Sequence, residues 1–188
     1  MDFLPPSFLI ASPGIENESF QQSVILLLEH DRYGATGLVV NRPTHFSLQE
    51  FLDIEDVEIP PQITAWSGGD CEQTKGIILH NQPANDPHAS DVFGLSASNA
   101  TLTRLIDAHR QASKRTAIKH PYRFLIGCVC WQAEELDKEI LRGAWMQAPL
   151  DPQTLFNASA DTMWQRSLAI LGITPASIMP PRQPEYSH

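Results

Sequence analysis

The chain has 188 residues, 42% hydrophobic and 19% charged, with a formal charge of −9 and a pI near 5.1. That length and apolar content fit one domain burying about 70% of its unfolded surface, and they exclude a disordered chain. The acidic balance repels phosphate backbones at long range, which disfavours nucleic acid as a general partner while leaving room for a local basic patch. Cys71, Cys128 and Cys130 are an odd set without C-x-x-C spacing, so reduced thiols in a cytoplasmic protein are expected rather than a disulfide framework.

The N-terminal stretch Met1–Gly14 lacks a basic region before its apolar part and carries Pro5 and Pro6. It is expected to be neither a signal peptide nor a membrane span. No apolar run approaches the roughly 20 residues that cross a bilayer, so no membrane association is expected. Phe8–Ala11 reads as a short strand stopped by Pro13 and Gly14. Asn17 is a plausible cap for one helical turn through Gln22. Two apolar runs follow, Val24–Leu28 and Leu38–Val40. The polar segment His30–Tyr33 and two glycines separate them, so they read as paired strands with a hairpin-like loop. Pro43 ends the second strand.

Ser47 and Glu50 have capping-box spacing, flanked by Phe46 and Phe51 as a hydrophobic staple, so a short helix is expected from Leu48 to about Asp53. The acidic run Asp53–Glu58 should be a loop. Ile63–Trp66 and Gly76–His80 read as strands, separated by Ser67-Gly68-Gly69-Asp70. Asn81–Ser90 reads as a surface loop, and Asp91–Leu95 as a further strand. The period then changes. Leu102, Leu105, Ile106 and His109 recur at helical spacing, which predicts a helix over 100–115. Tyr122–Cys128 returns to strand. Gln132–Met146 is expected to be a helix, with Leu136, Ile140, Ala144 and Trp145 on one stripe and a Glu134–Lys138 ion pair. Asp151-Pro152 opens a short helical turn, and Asp161 is expected to cap a last helix ending at Gly172. Strands concentrate in the first half and helices in the second, an α+β pattern rather than βαβ alternation. The expected division is a domain over 1–178 and a proline-rich tail over 179–188.

Phe20, Ser23-Val24-Ile25, Leu27 and Glu29-His30, then Gly34-Ala35 and Gly37 to Asn41-Arg42-Pro43, resemble the signature of the bacterial AlgH/YqgE family. The resemblance continues at Ser67-Gly68-Gly69, Gly76–His80, Trp131, Glu134-Glu135-Leu136, Glu139-Ile140 and Trp145, and so runs from about Phe8 to Gly172. It implies a single compact α+β domain with a bent or partly barrel-like, mostly antiparallel sheet flanked by helices. It also implies a non-enzymatic regulatory or interaction protein acting through protein partners, since transcriptional regulation has been attached to the family. It brings no catalytic residues and no cofactor.

The residues themselves offer five candidates. Glu29-His30 and His80 end strands, where a sheet could unite them as acid/base partners or ligands; the alternative is that they satisfy turn backbone. Asn41 and Arg42 could hold a carboxylate or phosphate, or else an internal ion pair and a turn. Gly68-Gly69 could present amides to an anion, although no P-loop or dinucleotide pattern is present, and a plain turn or bulge is the simpler reading. Cys128 and Cys130 share a strand face with Cys71 as a potential third ligand, but zinc spacings are absent, so inert thiols and no metal are expected. Arg104, Arg110, Lys114, Arg115, Lys119 and Arg123 concentrate basic charge opposed only by Asp107. They are the one place for DNA or an acidic partner to dock, against the alternative of a solvated helix face. Two functional readings follow: a regulatory protein working through partners, or a small-molecule or anion-binding domain, with or without catalysis, whose pocket lies near His30, Arg42, His80 and Gly68-Gly69.

Overall fold

A computed structural model of the chain describes residues 5–52, 58–81, 92–112 and 122–174. The loop expected over 53–58 falls almost wholly outside these residues, as do most of the 81–90 loop and the whole of the tail.

Two central strands build the core. β1 (Ser7–Ala11) and β2 (Val24–Asp31) pair antiparallel, with Phe8 opposite Leu26 and Leu9 opposite Ile25. Their apolar runs are continuous because both faces are covered. Phe8, Ile10, Val24 and Leu26 pack into one cluster, while Leu9, Ala11, Ile25 and Leu27 pack into another on the opposite face. β2 turns through Arg32 and Tyr33 into β3 (Gly34–Val39), so the hairpin forms as the apolar runs predict. His30 and Asp31 belong to the strand rather than the loop, and the register shifts between Leu27 and Glu29.

Pro43 does not only end a strand; it opens β4 (Pro43–Ser47), an edge strand that tolerates the missing amide. The capping box then forms: Glu50 Oε1 accepts from Ser47 N at 2.9 Å, and Phe46 meets Phe51 edge-on at 5.8 Å. The helix it starts is one 3-10 turn, Leu48–Glu50. β5 (Thr64–Ser67) leads into β6 (Cys71–His80), which starts earlier than expected, and then β7 (Gly94–Ser96). α1 (Asn99–Ala112) turns Leu102, Leu105 and Ile106 inward as predicted.

β8 (Tyr122–Gln132) runs past the expected end through Cys128-Val129-Cys130-Trp131. It organises the sheet, pairing parallel to β5 and antiparallel to β6 and β3. The helix predicted over 132–146 is shorter than expected. α2 covers only Glu135–Leu141, and β9 (Trp145–Pro149) follows as a strand along β1, with Trp145 opposite Ala11. Leu136 and Ile140 are true helical core positions; Gly143, at φ +77°, turns the chain out of the helix. The Glu134–Lys138 pair forms at 3.3 Å.

Asp151 caps α3 (Pro152–Asn157) by accepting from Thr154 N at 2.7 Å. α4 (Ala160–Ile170) begins after Ser159, not Asp161, which sits in its first turn. Trp164 Nε1 donates to Ala11 O at 2.8 Å and ties α4 to β1. The result is a single domain built on an open mixed sheet, ordered β4-β5-β8-β3-β2-β1-β9, with β6 joined to β8 and β7 to β6. Only β5–β8 is parallel among the described strands, and the sheet does not close into a barrel. α3 and α4 pack on one face and α2 on the other, while α1 covers the end built from β5, β6 and β8.

Candidate functional site

The strand-end residues singled out in sequence do not meet. His30 pairs with Ala35, which pairs with Trp131 near the end of β8. His80 pairs with Tyr122 at the start of β8. An extended strand separates those two positions by roughly 30 Å. His30 instead lies 3.4 Å from Asp137 on α2, and Glu29 is exposed. His80 is 3% exposed, and neither ring nitrogen has a hydrogen-bond partner among the described residues.

Asn41 and Arg42 brace the chain that enters β2. Asn41 accepts from Val24 N at 2.9 Å and donates to Gln22 O at 2.8 Å. Arg42 donates to Gln21 O at 2.7 Å and Ser23 Oγ at 3.0 Å. Both side chains are thus committed to bonds with residues 21–24, with no ion pair for Arg42 among the described residues.

Gly68 and Gly69 serve a crossing. Phe124 pairs with Ala65 of β5 and with Ile78 of β6, so those strands lie on opposite edges of β8. The link between them must step over β8, and it does so at Gly127. A Cβ at Gly68 would sit 2.3 Å from Gly127 O, and one at Gly127 would sit 2.6 Å from Gly69 O. These glycines permit close backbone contact, and Gly68 is already committed within the sheet: Gly68 N donates to Ile126 O, and Gly68 O accepts from Val39 N.

The three cysteines do gather. Cys71 faces Cys128 in register, Cys128 Sγ lies 3.6 Å from Cys130 Sγ, and Cys71 and Cys130 also interact. Burial pushes all three thiols above the usual range. Among the described residues no group of three Cys, His, Asp or Glu side chains is arranged to hold a metal ion.

The basic segment splits. Arg104 and Arg110 are exposed on α1, where Arg104 reaches Thr101 Oγ1 at 3.1 Å and Arg110 reaches Asp107 at 3.6 Å. Lys114, Arg115 and Lys119 lie outside the described residues. Arg123 departs from the expectation of an exposed basic face, because strand alternation turns it inward with Leu125. It is 5% exposed.

Arg123 leads to the cavity. Its Nη1 donates to Leu155 O at 2.6 Å, and its guanidinium carbon lies 4.9 Å from the centre of the Trp66 ring. Both contacts hold the guanidinium plane in place. It borders a cavity of about 510 Å³ between the first residues of β8, β5, α1 and the α3–α4 junction. Phe124, Phe156 and Ile63 give this cavity apolar walls; Asn157, Ser159 and Thr162 give polar ones; Arg166 of α4 stands at its edge, exposed. Among the described residues, no Asp or Glu lines it, and no carboxylate pairs with Arg123. In a chain of charge −9, this is a local reversal of sign. Burial alone drives Arg123 down to about 10 and Tyr122 up to about 12. Arg123 therefore remains charged near neutrality, and among the described residues its charge faces a carbonyl dipole and a ring face.

This is a site of ordinary small-molecule size, with apolar walls and a few convergent polar groups. Of its residues, the sequence reading singled out Arg123 as a binding candidate, but as a surface group. No local pattern marks Arg166 as a site residue, and Trp66 stands in the sequence only as the end of an expected strand. The parity of Arg123 with Leu125 in an otherwise apolar strand was the available signal.

Comparison with known proteins places this fold among relatives. A family model described as AlgH-like matches residues 8–176. A UPF0301 protein of Pseudomonas putida is 31% identical, over 91% of this chain and 90% of its own. One of Ralstonia nicotianae is 32% identical, over 93% and 92%. Among solved structures, the AlgH protein of Pseudomonas aeruginosa superposes with a TM-score of 0.71 at 27% identity, covering 94% of this chain and 96% of that one. A protein of Corynebacterium diphtheriae shares the fold, with a TM-score of 0.60 at 20% identity, over 88% and 86%.

Proposed function

The chain belongs to the AlgH-like family, and from that premise we propose that it is a non-catalytic regulatory protein whose signal is a small organic anion held in the Arg123 cavity. One observation carries the reading. A buried, charged guanidinium faces a cavity of about 510 Å³ that no carboxylate lines among the described residues. Burying a charge is costly unless something compensates it. A bound anion supplies the compensation, through a charge-assisted and potentially bidentate bond to the planar fork. The apolar walls set the rest of the specificity: the ligand carries a hydrophobic or aromatic body as well as a negative head.

Binding to the native state raises stability by about 2.7 kcal/mol at a hundredfold excess over Kd. The test is thermal unfolding with benzoate, phenyl phosphate and uncharged benzyl alcohol. At least one of the two anions raises Tm by several degrees, benzyl alcohol leaves it nearly unchanged, and Arg123→Met abolishes the anion response. Equal responses to benzyl alcohol and to the anions, or an undiminished anion response in folded Arg123→Met, contradicts the reading.

A further inference from the structure

The cavity holds a second feature that refines which anion it takes. Asn157, Ala158, Ser159, Ala160 and Thr162 all line it, so the first turn of α4 opens into it. α4 runs for 11 residues, and its N-cap, Ser159, makes no side-chain capping bond. The Ser159 hydroxyl is bonded instead to that of Thr162 at 2.8 Å. The first bonds of the helix are made by Thr162 N and Met163 N to Ser159 O. The amides of Ala160 and Asp161 precede those bonds and belong to the positive end of the helix. The Asp161 carboxylate shares that turn, but it is exposed and does not line the cavity.

A helix N-terminus alone is not a site. Here the same cavity also receives Arg123, 95% buried and without a carboxylate partner among the described residues, and Arg166 projects from the second turn of α4. Three sources of positive potential on two elements therefore border one space: the Arg123 fork from β8, and the Arg166 guanidinium and helix end from α4. A carboxylate has two oxygens, both of which a single guanidinium can engage. A phosphate monoester presents three terminal oxygens and carries nearly two negative charges at neutral pH. Helix N-termini with nearby arginines are suited to it.

Resting on the anion-binding reading above, we infer that the ligand is a phosphate monoester of a flat ring, of which a nucleoside monophosphate is one example. Its phosphate lies at the α4 N-terminus between Arg123 and Arg166, and its ring lies against Phe124 and Phe156. The bond between Arg123 and Leu155 O gives this arginine a structural duty at the end of α3 as well, so Arg166, exposed and outside the core, is the safer variant.

The test is calorimetric titration at low salt with adenosine monophosphate, phenyl phosphate, benzoate and inorganic phosphate, together with amide chemical shifts of Ala160 and Asp161. At least one of the two phosphate monoesters is expected to bind tenfold or more tightly than benzoate and inorganic phosphate. It should shift both amides and lose threefold to tenfold in affinity in Arg166→Gln. If benzoate binds as tightly as the better monoester, or if the amides of α4 and the Arg166→Gln affinity do not change, the phosphate assignment falls and the anion-binding reading stands. If none of the four anions binds, both fall.

Discussion

A buried imidazole gives a residue-scale check on how the fold treats polar groups that do not serve the cavity. His80 lies under the backbone of Gly94, where an added Cβ would come within 2.3 Å of its Cε1, and both its nitrogens lack partners among the described residues. An unsatisfied buried polar group costs free energy that an apolar side chain of similar size does not. His80→Leu should therefore unfold at the same or higher urea concentration than the parent, a gain of up to about 1 kcal/mol. A loss of comparable size would mean that the imidazole makes a bond the fold depends on. The thiols give a second check. Cys130 is exposed as a residue, yet desolvation of its thiol is the leading cause that raises its pKa, as it is for Cys71 and Cys128. The thiolate is the reactive form. A thiol whose folded pKa lies above its unfolded value reacts less than free cysteine below that value, and it withdraws stability as pH rises through the unfolded value of about 9. Alkylation by iodoacetamide at pH 7.5 should be slower for all three cysteines than for free cysteine. A fast-reacting Cys130 would contradict the account.

Crossings and register decide which elements form. Where apolar pattern and tertiary need agree, the sequence is legible: β1, the β2–β3 hairpin, the capping box at Ser47 and the buried stripe of α1 are read from it directly. Where partners arrive from distant segments, it is not. Trp145 fits the helical stripe of Leu136 and Ile140, but β1 needs an antiparallel neighbour, and Gly143 frees Trp145 to become one. Its indole then donates to Glu139 at 2.7 Å, beside Trp131, which donates to the same oxygen at 2.9 Å. The Gly68-Gly69 pair illustrates the same limit, since its reason lies at Gly127, far along the chain. Gly127→Ala would add a Cβ 2.6 Å from Gly69 O at a residue with φ +76°. It should cost more than about 2 kcal/mol, because left-handed strain adds to a backbone clash that no side chain can relieve. Urea unfolding measures it; a cost below about 0.5 kcal/mol would show that the link does not step over β8 there.

At the scale of the molecule, the site is a product of topology. β5 lies parallel to β8, which sets Trp66 beside Arg123. α3 and α4 cover that face and deliver a carbonyl, a helix end and Arg166 to the same space. No local motif spans these segments, which is why the sequence pointed to Arg42 and His80, whose side chains prove to be bracing or buried. Only Arg123 was readable, from its strand parity with Leu125. The net charge of −9 repels anions from the molecule at long range, so a charged ligand must be held by local contacts such as those this cavity supplies.

The four tryptophans make that claim directly measurable. Trp66 borders the cavity, whereas Trp131 and Trp145 donate to Glu139 on the α2 side and Trp164 donates to Ala11 O. Following the four indole N–H resonances while the full chain is titrated with phenyl phosphate, and separately with benzoate, separates the cavity from every other surface. A saturable shift of the Trp66 signal, larger than that of any other indole, is expected, with Trp131 and Trp145 unmoved. Shifts confined to Trp131 and Trp145, or no movement of any of the four at millimolar anion, would contradict it.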